Sequence, residues 1–173
     1  MDKNRILIFT GNGKGKTTAA LGIVLRAQGY KIPSYFIQFM KSAPSGELKV
    51  MEQFSALTIE RFGLGFVPKI DHLDFPKHKK IAQEGFKAVE KAIASNHYKL
   101  VVLDEILGAI GAELITTSQV SKLIKTLPKA VTLVLTGRDA PQILIDLADT
   151  VTEMKPIKHG YEIGFPAQKG IEF

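Results

Sequence analysis

Alternating glycines followed by a lysine and two threonines form the strongest chemical signal in this sequence. They occur in the segment Gly11, Asn12, Gly13, Lys14, Gly15, Lys16, Thr17 and Thr18. Glycines let successive backbone N–H groups converge on one anion, and the N-terminus of a following helix adds unpaired N–H groups and a positive dipole end. The Lys16 ammonium can reach outer phosphates, and the Thr17 hydroxyl can ligate Mg²⁺. The segment therefore predicts a phosphate-binding loop for a nucleoside triphosphate.

Thr10 departs from the usual pattern of such loops, G-x-x-x-x-G-K-[ST], in which its position is a glycine. The alternative interpretation is a glycine-rich turn that binds nothing. The flanking residues favour the phosphate loop, because apolar residues 6–9 precede it with strand character and residues 19–27 follow it with helix character.

Asp104 and Glu105 are a second nucleotide signal, because they end the continuous apolar run 100–103, which is typical of a buried parallel strand. Ligands of parallel α/β sheets lie beyond the carboxyl ends of the strands. We therefore place both carboxylates beside the loop, with Glu105 favoured as a metal ligand alongside Thr17. Asp104 is either a further ligand or orients water or the loop. The alternative is a strand that ends in two solvated acids.

Arg138 follows another apolar run, 131–136, at the same predicted edge. It either contacts phosphates, which we favour, or pairs with Asp139. The four histidines lack metal-ligand spacing, and the absence of cysteine excludes disulfides, a thiolate nucleophile and a thiolate metal site.

Alternating strand and helix patterns must position these residues. Strands are predicted over about 5–10, 34–39, 57–62, 100–103, 131–136 and 150–154, and helices over 16–28, 46–54, 76–95, 117–127 and 141–148. Residues 40–47 and 63–71 are predicted loops, and the tail 155–173 is expected to lie on the surface. The order predicts an α/β fold with a mainly parallel sheet, in one domain spanning 1–173.

The composition, 45% hydrophobic and 23% charged, is ordinary for a globular protein. No apolar run is long enough to span a bilayer and no secretory leader is recognisable, so we expect a cytoplasmic protein with no membrane partner. The formal net charge of +6 suits a polyanionic small ligand. Nucleic acid is a less favoured partner, because the lysines are scattered apart from the cluster at 77–80, which we interpret as a solvated helix start.

Nucleotide binding alone leaves the reaction open, since phosphate loops serve ATPases, kinases and other transferases. A GTPase is disfavoured because no Asn-Lys-x-Asp motif is present. An ATPase would use Glu105 as the base that activates water, whereas a small-molecule kinase would need a hydroxyl-positioning acid that we do not find.

Six segments resemble the ATP:corrinoid adenosyltransferases of the phosphate-loop, RecA-like type, including the threonine before the glycines. They are FTGNGKGKTTAALG (9–22), IQFMK (37–41), VVLDE (101–105), LTGR (135–138), LADTVTEMKPIKH (147–159) and AQKGIEF (167–173). The resemblance implies a three-layer α/β fold of the P-loop NTPase (RecA-like) type. It also implies transfer of the 5′-deoxyadenosyl group of ATP to the cobalt(I) of a reduced corrinoid, with release of triphosphate. It also implies Mg²⁺ or Mn²⁺, a homodimer and a flavoprotein reductant.

The resemblance further implies roles for individual residues. The loop from Gly11 to Thr18 would hold triphosphate, with Asn12 near the ribose, and Thr17 and Glu105 would hold the metal. Arg26 matches a family arginine. Phe66 would press on the lower face of the corrin ring, although Pro68 stands where the family has tryptophan. The runner-up function is a RecA-like Mg-ATPase or regulatory nucleotide-binding protein without corrinoid activity.

Overall fold

A computed structural model describes residues 3–42 and 45–171, and it shows an α/β protein built on one sheet. The strands are β1 (Arg5–Thr10), β2 (Ser34–Phe39), β3 (Leu57–Phe62), β4 (Leu100–Asp104), β5 (Thr132–Thr136) and β6 (Thr150–Glu153). The α-helices are α1 (Lys16–Gly29), α2 (Gly46–Met51), α3 (Phe75–Ala94), α4 (Ile106–Gly111), α5 (Thr117–Lys125) and α6 (Gln142–Ile145), and a 3₁₀ turn covers Gly160–Ile163.

The six strands run parallel in the spatial order β3-β2-β4-β5-β1-β6. Every residue of β2 and β4 is buried, which explains why both segments are rich in apolar residues on both faces. Because the strands are parallel, their carboxyl ends meet at one edge. The residues that follow β1, β2, β4 and β5 are thereby collected there.

Two apolar clusters cover the two faces of the sheet, so the predicted three-layer arrangement is confirmed. One face packs against α1 and α2, through residues such as Val24 and Leu48. The other face packs against α3, α4, α5 and α6, through residues such as Phe86 and Leu144. In α3 the apolar residues recur at helical spacing, which is why this long helix was predictable from the sequence.

The predicted strands are confirmed, with β2 and β3 matching residue for residue. Helix α4 was missed: the structure continues from β4 through Glu105 directly into a helix. Its six residues include two glycines, so local propensity gives little sign of it. Residues 43 and 44 of the predicted 40–47 loop, and residues 172 and 173 of the tail, lie outside the described residues.

The exposed lysines at 77, 79 and 80 lie at the start of α3, as predicted. None of the helices within the described ranges has the length and apolar character needed to cross a membrane.

Candidate active site

The glycine-rich segment joins β1 to α1 at the carboxyl edge of the sheet. Gly15 caps α1 in the left-handed conformation, with φ of 109°, and the helix starts at Lys16. The first N–H groups of a helix have no helical acceptor, so this end of α1 offers donors to an anion. The Lys16 ammonium donates to the carbonyl oxygens of Gly11 and Gly13, at 2.7 and 2.8 Å, and so braces the loop from inside.

Thr10 has a structural reason to replace the usual glycine. Its hydroxyl accepts a hydrogen bond from the Ala140 amide at 3.2 Å, and its carbonyl accepts one from the Met154 amide at 2.8 Å. The side chain therefore ties the loop that follows β5 to the start of the phosphate loop.

Gly11 and Gly13 are needed because the main chain of Met154 passes very close to them. A Cβ at Gly11 or Gly13 would lie 2.5 or 2.7 Å from the Met154 carbonyl oxygen, which is inside van der Waals contact. The Gly13 amide donates to that oxygen at 2.6 Å. The segment after β6 is therefore part of the wall that shapes the phosphate loop.

Asp104 is the polar centre of the site, although it is fully buried. Its carboxylate accepts hydrogen bonds from Thr17 Oγ1 at 2.9 Å, Thr136 Oγ1 at 2.7 Å and Gln38 Nε2 at 2.8 Å. A buried carboxylate is tolerable because each of these donors compensates part of its lost hydration. The sequence interpretation favoured Glu105 over Asp104 as a metal ligand alongside Thr17, and that assignment stays a prediction; in the structure the carboxylate in direct contact with Thr17 is Asp104.

Glu105 lies beside this network and lines the same cavity as Lys16 and Thr17. Its backbone is left-handed, with φ of 61°, and its amide donates to Thr136 Oγ1 at 2.9 Å. Burial, followed by the charge of Asp104, raises the pKa of Glu105 above its ordinary value. Burial also lowers the pKa of Lys16, while the negative charge of Glu105 opposes that change. Burial thus disfavours the charged form of both side chains, as is common at functional sites.

Three non-glycine residues with left-handed backbone follow the strands at this edge of the sheet. Met40, Glu105 and Asp139 all have positive φ without being glycine, and each follows one of the strands β2, β4 and β5. Such conformations cost about 1–3 kcal/mol each and cluster at functional sites. Lys31, Asn96 and Ala130 also have positive φ and precede β2, β4 and β5 at the opposite edge, so these conformations do not by themselves distinguish the site.

Lys41 is a site residue that sequence reasoning did not single out. It follows β2, and its ammonium donates to Thr17 Oγ1 at 3.0 Å and to Asp104 Oδ2 at 3.3 Å. Gln38 and Thr136 were also missed. The available signal was their position at the carboxyl ends of β2 and β5, the strands that flank β4.

A cavity of about 730 Å³ opens from the phosphate loop along α1 and α2. Lys16, Thr17, Lys41 and Glu105 line its polar end. Its other walls are largely apolar and come from α1, α2 and the tail, by way of Leu21, Leu25, Val50, Met51, Phe54 and Ile171. The volume and the mixture of walls suit a nucleotide with a charged end and an apolar end.

The remaining predicted site residues differ in how close they lie to the phosphate loop. Asn12, Lys14 and Thr18 are exposed on the phosphate loop. Arg138 is exposed at the same edge, where its charge acts on Lys16 and Glu105. No ion pair between Arg138 and Asp139 is found, both being within the described chain. Arg26 lies in the last turn of α1, roughly 15 Å along the helix axis from Lys16 at ~1.5 Å per residue, so it does not join the phosphate cluster.

The 63–71 loop lies against the segment that carries Lys41. A Cβ at Gly63 would meet the Met40 and Lys41 backbone within 2.6 Å, and the Gly65 amide donates to the Met40 carbonyl at 2.9 Å. Phe66 follows directly and is 94% exposed. A second cavity of about 570 Å³, lined in part by Val67, Pro68 and Ile70, borders the same loop.

Comparison with known proteins adds to this geometry. A family model described as ATP:corrinoid adenosyltransferase BtuR/CobO/CobP matches residues 2–173. A corrinoid adenosyltransferase of a Sinorhizobium species is 33% identical over 99% of this chain and 81% of its own length. Those of Escherichia coli K12 and Pseudomonas aeruginosa are 31% and 34% identical over 99% of this chain and 87% and 85% of theirs.

Solved structures support the fold alone. A KaiC-like protein of Pyrococcus horikoshii superposes with a TM-score of 0.55 at 18% identity, covering 88% of this chain and 71% of that one. The ATPase 2 and 3 region of EssC from Geobacillus thermodenitrificans gives 0.51 at 14% identity, covering 97% of this chain and 36% of that one.

Proposed function

The chain belongs to the family of ATP:corrinoid adenosyltransferases, and from this premise we propose that it transfers the 5′-deoxyadenosyl group of ATP to the cobalt(I) of a corrinoid. The electron pair of cobalt(I) forms the new cobalt–carbon bond. The bond between C5′ and its oxygen breaks, and triphosphate leaves with that electron pair. The proposal rests mainly on the family match over residues 2–173. The phosphate loop and the hydrogen bond between Thr17 and Asp104 give the chain a site that suits ATP.

The residues of the phosphate loop are proposed to stabilise the negative charge of the leaving triphosphate. Cobalt(I) is itself a strong nucleophile, so the reaction needs no protein base. It needs positive charge where negative charge grows, on the oxygen that leaves C5′. Lys16 and the N-terminus of α1 supply that charge within the loop of residues 11–18. Asn12 is proposed to lie near the ribose, and Arg138 to contact the phosphates.

Mg²⁺, or Mn²⁺ in its place, fits the oxygen ligands present. Thr17 offers a hydroxyl and Asp104 and Glu105 offer carboxylates, which are the hard ligands that these ions prefer. No group of three or more acidic, histidine or cysteine side chains suited to a metal occurs in the described part of the chain. A site of this kind therefore takes its remaining ligands from phosphate oxygens and water. The ion, when bound, neutralises charge on the triphosphate.

The 63–71 loop is proposed to receive the corrinoid. A macrocycle with a large apolar face needs an apolar surface, and Phe66 offers one next to the segment that carries Lys41. The Gly63 and Gly65 contacts connect that surface to the phosphate site. Pro68, which replaces the family tryptophan, leaves Phe66 as the aromatic contact of the loop.

Several finer points remain proposals. We expect a homodimer, a flavoprotein that reduces the corrinoid, a cytoplasmic location and a single domain over 1–173. A role for Arg26 would have to lie away from the phosphate cluster, because it belongs to the opposite end of α1.

Product analysis tests the proposed reaction. Protein, Mg-ATP and chemically reduced cobalamin are mixed, and the phosphate products are separated by ion-exchange chromatography. We expect triphosphate and adenosylcobalamin in equal amounts. ADP with orthophosphate, formed whether or not cobalamin is present, would instead identify the chain as an ATPase.

A further inference from the structure

The Lys41 ammonium occupies a defined position between two oxygens of the proposed metal site. It donates to Thr17 Oγ1 at 3.0 Å and to Asp104 Oδ2 at 3.3 Å, while Thr17 donates its own proton to the other oxygen of Asp104. Thr17 and Asp104 are thus held together by their direct hydrogen bond and by Lys41. The side chain of Lys41 is 42% exposed, so the ammonium can leave toward the cavity that it lines.

The Thr17 hydroxyl donates its proton to Asp104 and accepts from Lys41, so a divalent cation would have to bind its remaining lone pair, directly beside the Lys41 ammonium. Metal–oxygen distances for Mg²⁺ are about 2.1 Å. The ammonium and the ion would then lie within a few ångströms of each other, and like charges at that distance repel strongly in a partly buried site. The two cations are therefore alternative partners of one pair of oxygens.

From this geometry we infer that Lys41 competes with the divalent cation for Thr17 and Asp104 and so sets the metal affinity of the site. The inference rests on the metal site of the proposed function. In this role Lys41 is a positioning residue: it keeps the Thr17 and Asp104 oxygens in register, and it moves into the cavity when the ion binds there. That cavity is where the triphosphate would lie, so the displaced ammonium gains an anionic partner.

Binding of Mn²⁺ alone to the full chain tests the inference, with free Mn²⁺ measured by electron paramagnetic resonance and without ATP or corrinoid. Lys41→Met keeps the length of the side chain and removes its charge. We expect the variant to bind Mn²⁺ more tightly than the native chain, by about fivefold or more. Lys41→Arg, which keeps the charge, is expected to stay within about twofold of the native affinity.

Arg138→Met is the matched control for charge in general, because the Arg138 charge also acts on Lys16 and Glu105 but makes no described contact with Thr17 or Asp104. We expect a smaller gain than that of Lys41→Met. The inference is overturned if Lys41→Met binds Mn²⁺ no better than the native chain, including the case in which neither binds, or if Arg138→Met gains as much. An adenosyl-transfer assay on the same native sample separates this result from the proposed function, since metal competition can hold even if no corrinoid is alkylated.

Discussion

The phosphate site and the 63–71 loop are neighbours, but they are held in different ways. Asp104 is fully buried and bonded to side chains from α1, β2 and β5, whereas Phe66 is 94% exposed. The first region is determined by contacts within the chain, so substitutions there change both the site and the fold. At Phe66 the second region presents apolar surface that only a bound partner would cover, so a substitution of this side chain is expected to affect binding and to leave the fold intact.

Removal of the Lys16 charge is expected to have the largest effect at the phosphate site. In Lys16→Ala we expect adenosyl transfer to fall by roughly a hundredfold to a thousandfold, because the leaving triphosphate loses its principal positive partner. The measurement is the initial rate of adenosylcobalamin formation. Lys49→Ala, an exposed lysine of α2 that does not line the cavity, is the control and should keep the native rate. A native rate in Lys16→Ala would contradict the role of the loop.

Gly13→Ala tests whether the phosphate loop depends on the wall formed by Met154. The new methyl group would meet the Met154 carbonyl oxygen at 2.7 Å, so the two segments must separate. We expect a loss of about 1–3 kcal/mol in the free energy of unfolding, measured in urea. Gly22→Ala in α1 is the matched control, because nothing lies within 4 Å of its Cβ, and it should gain about 0.5–1 kcal/mol. Equal changes in the free energy of unfolding of Gly13→Ala and Gly22→Ala would mean that the contact between Gly13 and Met154 does not constrain stability.

Phe66→Ala tests the role of the 63–71 loop. We expect corrinoid affinity to fall by about tenfold, or ~1.4 kcal/mol, while ATP affinity and the melting temperature hardly change. Separate titrations with cobalamin and with ATP measure this. Leu73→Ala, another exposed apolar residue outside the loop, is the control. A collapse of ATP affinity in Phe66→Ala would show that the two regions are not separable.

Tyr35→Phe tests a contact between β2 and β3, the strands that lead to Lys41 and to the 63–71 loop. The Tyr35 hydroxyl donates to Glu60, and burial together with that bond raises its pKa above the ordinary 10.0. The folded chain therefore holds this proton more tightly than the unfolded chain, so its contribution to stability is present below about pH 10 and lost as the pH rises further. We expect Tyr35→Phe to cost about 1 kcal/mol at pH 7. The free energy of unfolding, measured in urea from pH 8 to 11, should then decline less steeply with pH in Tyr35→Phe than in the native chain. Equal slopes in the two proteins would exclude this linkage.

The sequence was most informative where local pattern and global fold agree. The strands β2 and β3 and the glycine loop before Lys16 were predictable, because short apolar runs and turn residues are local signals that extend over a few residues. Helix α4 was not, because it is short and starts from the strained backbone of Glu105, a conformation that the surrounding fold imposes.

The hydrogen bond between Thr17 and Asp104 was also not predictable from the sequence. Asp104 and Glu105 are adjacent, and which carboxylate meets Thr17 depends on how β4 lies between β2 and β5. Lys41 belongs to the same case: it is far from Thr17 and Asp104 in sequence, and only the parallel pairing of β2 with β4 brings it to them. Motif spacing describes one segment at a time, whereas this site is assembled from four.

Adenosyl transfer requires that ATP is cleaved between C5′ and its oxygen, and isotopic labelling detects this cleavage directly. ATP carrying oxygen-18 in the bridge between C5′ and the α-phosphate is supplied with reduced cobalamin, and the products are examined by mass spectrometry. We expect the label to appear in triphosphate and the adenosyl group on cobalt to carry none. Label that stays with the adenosine portion, in ADP or AMP, would contradict this expectation.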